Sequence, residues 1–139
     1  MNMSGKWTGQ YTYGEGYEYL DIGKSVIFYL DITANGIEFE GSFTDDETKD
    51  IFKESGVLRG FLENNFISFS KWYPSYWEIN EEGEKKFYEE EASHEICYEG
   101  VLIDDHFEGE WEIPSHFVDE GGPYTEINGK GTWTMRKDD

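Results

Sequence analysis

The chain has a single cysteine, Cys97, so no disulfide can form within it. Positive charge is also scarce: 11 bases stand against 31 acids, a formal net charge of -20. A surface of that sign repels phosphate backbones and anionic bilayers, so neither nucleic acid nor membrane is an expected partner. No apolar run approaches the length that spans a bilayer. No basic segment followed by an apolar one opens the chain, and a cytoplasmic location is the expectation. Also missing are a glycine-rich phosphate loop, a Cys/His metal spacing and a Ser/His/Asp set that can be placed together. On these grounds no cofactor, no metal and no catalytic role are expected.

What is present is aromatic and alternating. Phe, Trp and Tyr make up 18% of the 139 residues, half of the 37% hydrophobic total, which favours a β core of large rings over a helical bundle. Residues 96–113 read as two strands folded back at Asp104 and Asp105. Pairing outward sets Leu102 against Phe107, Gly100 against Gly109, Tyr98 against Trp111 and Ile96 against Ile113, all on one face. The other face sets Glu99 against Glu110 and Val101 against Glu108, with Cys97 beside Glu112. Side chains alternate faces along a strand, so the hairpin has an apolar inside and an acidic outside. Acids around Cys97 disfavour its thiolate.

The same reading extends along the chain. A first strand spans Gly5–Tyr13, followed by a Gly- and Tyr-rich loop over 14–23. Residues 25–44 form a hairpin about Asn35 and Gly36, with Ile32 opposite Phe39, Leu30 opposite Gly41 and Phe28 opposite Phe43. Residues 44–55 are polar, with room for one helical turn capped by Asp45 or Asp46 and anchored by Ile51 and Phe52. Two more strands fold about Asn64 and Asn65, with Leu58, Gly60 and Leu62 taken as inward and Val57 opposite Trp72 on the other side. Pro74 breaks the ladder, and 76–80 with 85–88 form a protruding hairpin about Glu82 and Gly83. Residues 114–126 read as a long loop, and a last strand runs over 127–136.

An apolar-x-Gly-x-apolar unit recurs: Trp7-Gly9-Tyr11, Phe39-Gly41-Phe43, Leu58-Gly60-Leu62, Tyr98-Gly100-Leu102 and Phe107-Gly109-Trp111. Inward glycines let a sheet coil tightly and leave room for rings from the opposite wall, as closing a small barrel requires. The fold expected is all-β, a single eight-stranded up-and-down antiparallel barrel formed by residues 1–139 as one domain. Strand parity puts the three tight turns and both termini at one end. The long connections over 14–23, 44–55, 74–93 and 114–126 fall at the other, so the barrel is a cup whose ligand would sit in that mouth.

Gly5, Lys6 and Trp7 on the first strand, Arg136 near the end of the last, and the alternation of short and long loops resemble the calycin superfamily of lipocalins, fatty-acid-binding proteins and avidins. The resemblance implies that Trp7 closes the barrel bottom with Arg136 packed on it by cation–π contact. The stretch Ser4 to Gly9 also looks like the start of an avidin, but no matching set of polar biotin-binding residues is found.

The mouth would be lined by Tyr13, Phe28, Phe43, Trp72, His94, Tyr98 and Trp111, overhung by Tyr17, Tyr19, Trp77, His116, Phe117 and Tyr124. One reading is a site for a small apolar or aromatic ligand. The other is that these rings fill the barrel, as a chain of this size allows. His94 beside Glu95, and His116 near Asp119 and Glu120, are lone histidines in an acidic chain and a weak basis for catalysis. A different class of function uses the outer wall, where Asp31, Glu38, Glu40, Glu99, Glu108, Glu110 and Glu112 would meet a basic protein, as an immunity or inhibitor-like module does.

Overall fold

The structure is a computed structural model that describes residues 1–14 and 22–139. The 14–23 connection, with Tyr17 and Tyr19, lies largely outside the described residues. Among the described residues ten strands follow one another: β1 (Gly5–Tyr13), β2 (Ser25–Asn35), β3 (Glu38–Asp45), β4 (Gly56–Glu63), β5 (Phe66–Trp72), β6 (Tyr76–Ile79), β7 (Lys85–Tyr88), β8 (Ile96–Ile103), β9 (His106–Asp119) and β10 (Gly122–Lys137). Eight of them close into an antiparallel up-and-down barrel in the order β1-β10-β9-β8-β5-β4-β3-β2. The other two, β6 and β7, form a separate ribbon, which is the protruding hairpin read from the sequence.

Period-two burial drives the closure. Along β2, Val26, Phe28, Leu30 and Ile32 are buried while their neighbours are exposed. The β8–β9 hairpin has the register that folding back at Asp104 and Asp105 dictates, with Tyr98 opposite Trp111, Gly100 opposite Gly109 and Leu102 opposite Phe107. The β4–β5 pair likewise sets Leu62 opposite Ile67 and Gly60 opposite Phe69. Asn64 and Asp104 take the left-handed backbone conformation (φ 57° each), which Asn and Asp tolerate better than most residues.

The β2–β3 hairpin differs by two residues. Gly36 has φ 68° and Asn35 pairs with Glu38, so the turn is centred on Gly36 and Ile37 rather than on Asn35 and Gly36. Leu30 therefore faces Phe43, and Phe28 faces Asp45. A slip of two keeps every side chain on its face, so the burial pattern survives. Its consequence is chemical: Asp45 becomes the last inward residue of β3 and is fully buried.

The expected loop over 114–126 is instead strand. The β9 and β10 ladders continue past the barrel through Pro114 opposite Ile127 to Asp119 opposite Gly122, with an irregularity between Ile127 and Gly129. Phe117 stacks on Tyr124 across this ribbon with centroids 5.4 Å apart, and both rings are two-fifths exposed. Pro114 lacks an N–H to donate, but a two-stranded ribbon has edges on both sides where a proline fits.

The barrel bottom also departs from the calycin expectation. Trp7 is buried, donates its indole N–H to the Met3 carbonyl at 2.9 Å, and meets the Phe107 ring at 5.7 Å. Arg136 does not stack on it. Parity turns Arg136 outward beside Asp105 at 3.6 Å, with its side chain 65% exposed, and Met135 takes the inward position. Arg136→Ala is accordingly expected to change the unfolding free energy by less than about 0.5 kcal/mol. Trp7→Ala is expected to cost about 3–5 kcal/mol. Urea denaturation of the two variants separates these cases, and a large loss for Arg136→Ala would restore the stacked pair.

Candidate functional site

The long-loop end holds an unusual concentration of buried polar side chains. β5 alternates Ile67, Phe69 and Lys71 inward, and all three are buried. Lys71 ends this series as a long cation with no exposure at all. Its Nζ lies 4.4 Å from the centroid of Phe28, 4.5 Å from Phe43, 4.6 Å from Tyr98 and 5.4 Å from Tyr11. It donates a hydrogen bond to the Tyr98 hydroxyl at 3.1 Å. Four rings from four strands thus enclose one amine. Ring faces attract an ammonium, but they replace little of the hydration that burial removes. Burial therefore pulls the Lys71 pKa down to about 7, with Asp45 opposing the shift.

Two carboxylates sit above this amine. After β3 the chain makes one tight turn, as its sequence suggested. Asp45 Oδ1 accepts the Thr48 backbone N–H at 2.7 Å and the Thr48 hydroxyl at 2.8 Å, the bonds of a helix-type cap. Asp45 Oδ2 accepts the Tyr73 hydroxyl at 2.7 Å. The turn brings Glu47 over the rim, where Oε1 accepts the hydroxyls of Tyr11 (2.9 Å) and Tyr13, and Oε2 meets Lys24 at 3.1 Å. Burial, reinforced by neighbouring negative charge, holds the Tyr11 and Tyr73 hydroxyls well above their ordinary range, so both remain donors.

Phe52 closes the turn onto the rim. It stacks on Tyr73 at 6.0 Å and meets Phe87 of the β6–β7 ribbon at 5.8 Å, while Trp77 packs edge-on against Tyr73 at 5.5 Å. Beside this lid lies a cleft of 180 Å³ lined by Phe43, Thr48, Lys49, Phe52, Lys53 and Tyr73, among others. Larger hollows of 530 and 430 Å³ lie on the outer wall along β8, β9 and β10.

The residues singled out from the sequence divide into three groups. Tyr13, Phe28, Phe43, Tyr98 and Trp111 are buried inside the barrel at this end, so the deep rings fill it rather than line an open cup. Trp77 reaches the rim through Tyr73. Trp72, His94 and His116 are not part of the interior. Trp72 sits opposite the exposed Val57, on the outward side of β5, and Lys71 takes the inward position beside it. His94 is exposed against Tyr76 with centroids 5.1 Å apart, whereas His116 is exposed on the β9–β10 ribbon, 3.0 Å from the Thr125 hydroxyl. His94 thus lies in the connection between β7 and β8, and His116 on a different ribbon. Among the described residues no group of three His, Cys, Asp or Glu is placed to hold a metal.

Sequence reading placed Tyr11 inward and offered Asp45 as a cap, but it missed Lys71, Glu47 and Tyr73 and the burial of Asp45. One signal was available. Ile67, Phe69 and Lys71 share parity, and a lysine in an inward register is the anomaly worth following. Asp45 was hidden by the two-residue register shift.

Comparison with known proteins adds little. No known protein family matches the chain, and no curated protein does. Among solved structures, the crystal structure of rhizavidin matches at 12% sequence identity with a TM-score of 0.45, over 95% of this chain and 84% of that one. Among the described residues no helix is long and apolar enough to cross a membrane.

Proposed function

We propose that this barrel binds a small molecule at its long-loop end without catalysing its conversion, and that Lys71 with the rings of Tyr11, Phe28, Phe43 and Tyr98 forms the floor of the site. The observation that carries the reading is the fully buried Lys71 amine, 4.5 Å from the Phe43 ring that also lines the 180 Å³ cleft. A barrel that only needed filling would be served by an apolar residue at this position, because an enclosed amine destabilises the fold unless it is matched. Desolvated groups with shifted pKa values gather at sites that use them. The cleft is smaller than the ~300 Å³ of common ligand pockets, so the ligand is small or enters by moving the Phe43 and Phe52 rings. The expected apolar or aromatic character still suits those walls, but the polar floor adds a requirement for a hydrogen-bonding group.

Native mass spectrometry of the protein isolated from its own source tests this. A retained small molecule, lost in Lys71→Met, is the expected result. A bare mass in both proteins, together with no change in the NMR signals of Phe43, Phe52 and Tyr73 on screening small ligands, would remove the reading.

A second reading has its own observation. Glu99 lies directly opposite Glu110, and Val101 opposite Glu108, on the outer wall. The 530 Å³ hollow there is lined by Glu99, Glu108, Glu110 and Glu112 around Val101 and Phe66. Like charges directly opposite destabilise a sheet, and a basic protein on this wall would relieve them. Glu108→Lys with Glu110→Lys is expected to abolish capture of a basic partner while making the isolated barrel no less stable. Unchanged capture would discard the outer wall.

A further inference from the structure

We propose that the ligand of this mouth carries an aldehyde or ketone group, and that Lys71 Nζ takes it up as an imine. The inference rests on the small-molecule reading above and names the chemistry of its ligand. The charges around the site narrow the class. Asp45 and Glu47 are buried carboxylates facing the same end as Lys71, so an anionic ligand meets repulsion there. A cationic ligand would compete with the Lys71 ammonium for the same ring faces. A neutral ligand is what remains, and an electrophilic carbon is what a buried amine hydrogen-bonded to a tyrosine hydroxyl can take up.

The amine is available for that chemistry. Both oxygens of Asp45 accept bonds from Thr48 and Tyr73, and both oxygens of Glu47 accept bonds from Tyr11, Tyr13 and Lys24. The hydrogen bond described for Nζ runs instead to the Tyr98 hydroxyl. With burial holding the Lys71 pKa at about 7, a large share of the side chain is free amine at neutral pH, and a neutral amine is the nucleophile.

The route is short. Phe43 lines the cleft and its ring centroid lies 4.5 Å from the buried Nζ, so displacement of that ring is what brings a ligand from the cleft to the amine. At ~30 Å³ per water, the cleft has the volume of about six water molecules, enough for a small flat carbonyl compound. The Nζ lone pair bonds to the carbonyl carbon as the C=O π pair moves to oxygen. The nitrogen passes a proton to that oxygen, with Tyr98 as the adjacent relay. The carbinolamine then loses its hydroxyl and the second amine proton as water, leaving C=N. No electrons are transferred and no further reactant is needed.

Benzaldehyde tests the proposal, with sodium cyanoborohydride supplying the hydride that traps the imine as a secondary amine. The whole protein is treated near neutral pH and read by intact mass and peptide mapping. Adduct on Lys71 ahead of the other lysines is expected. It should be absent from Lys71→Met and retained in Lys6→Arg and Lys137→Arg, which are exposed at the opposite end of the barrel. In parallel, benzaldehyde and the unreactive benzyl alcohol are titrated without reductant while the NMR signals of Phe43 and Tyr73 are followed. Shifts with both compounds but adducts only on other lysines would overturn the imine and leave the binding site standing. No shifts and no Lys71 adduct would overturn both. Should Lys71→Met fail to fold, the peptide map of the unaltered protein decides by itself.

Discussion

Lys71→Met is expected to stabilise the barrel at neutral pH by several kcal/mol. In the folded protein the lysine holds its proton only up to about pH 7, against 10.5 for the ordinary side chain. At 1.36 kcal/mol per pKa unit the difference corresponds to at most about 5 kcal/mol. Part of that gain is lost because Asp45 gives up a neighbouring positive charge, although its own bonds to Thr48 and Tyr73 remain. The sign follows from proton counting. Between about 7 and 10.5 the unfolded chain binds the proton and the folded barrel does not, so the wild-type stability rises with pH across that window. Below about 7 the lysine's penalty is full and constant; above 10.5 it is gone. Tyr11 and Tyr73 act in the opposite sense above the ordinary tyrosine value of 10.0, because the unfolded chain ionises them first. The clean interval is therefore between about 7 and 10. Urea denaturation across it should show a rising slope in the wild type and a flatter one in Lys71→Met. Parallel slopes would mean that the amine is solvated and that the proposed floor of the site is wrong.

Gly109→Ala is the second large effect, and it acts on the fold itself. A Cβ at Gly109 would lie 1.9 Å from the Glu99 carbonyl oxygen and 2.5 Å from Gly100 Cα, both backbone atoms of the paired strand. Neither can rotate away, so the ladder between β8 and β9 must open. The space also serves a neighbour: Trp133 lays its indole over this glycine pair and donates its N–H to the carbonyls of Glu99 (3.1 Å) and Glu110 (3.0 Å). Gly131 leaves the same kind of gap under Trp111, whose indole N–H donates to the Thr132 carbonyl at 3.1 Å. Overpacking of this kind, with a buried ring and its hydrogen bonds displaced, is expected to cost about 3 kcal/mol or more. Circular dichroism with urea denaturation would measure it, and a fully stable Gly109→Ala barrel would show that the apolar-x-Gly-x-apolar repeat has another cause.

Much of the barrel was legible because its hairpins are local. Folding back at Asp104 or at Asn64 sets the register by addition, and one buried face pins it against slipping by a single residue. Asn35 and Gly36 show the limit of that argument. Alternation forbids a slip of one but is indifferent to a slip of two, and only the backbone geometry at Gly36 decided between them. The ribbon over 114–127 shows another limit, since neither proline nor a lack of alternation prevents two strands from pairing beyond a sheet that already holds them side by side.

The site was less legible than the fold. Trp72 drew attention as a large ring, yet its pairing with Val57 already placed it outward, and the inward neighbour was Lys71. The sequence by itself determined an all-β chain, its tight hairpins, the inward glycines and the end at which long connections gather. All of these follow from spacing along one strand or across one turn. Only the tertiary structure decided what meets inside. Lys71 comes from β5, Tyr11 from β1, Phe28 from β2, Phe43 from β3 and Tyr98 from β8, and their distances depend on the radius and stagger of the closed barrel. Closure puts an amine from one wall among rings from the others and removes its water, and that environment exists in no single stretch of the chain.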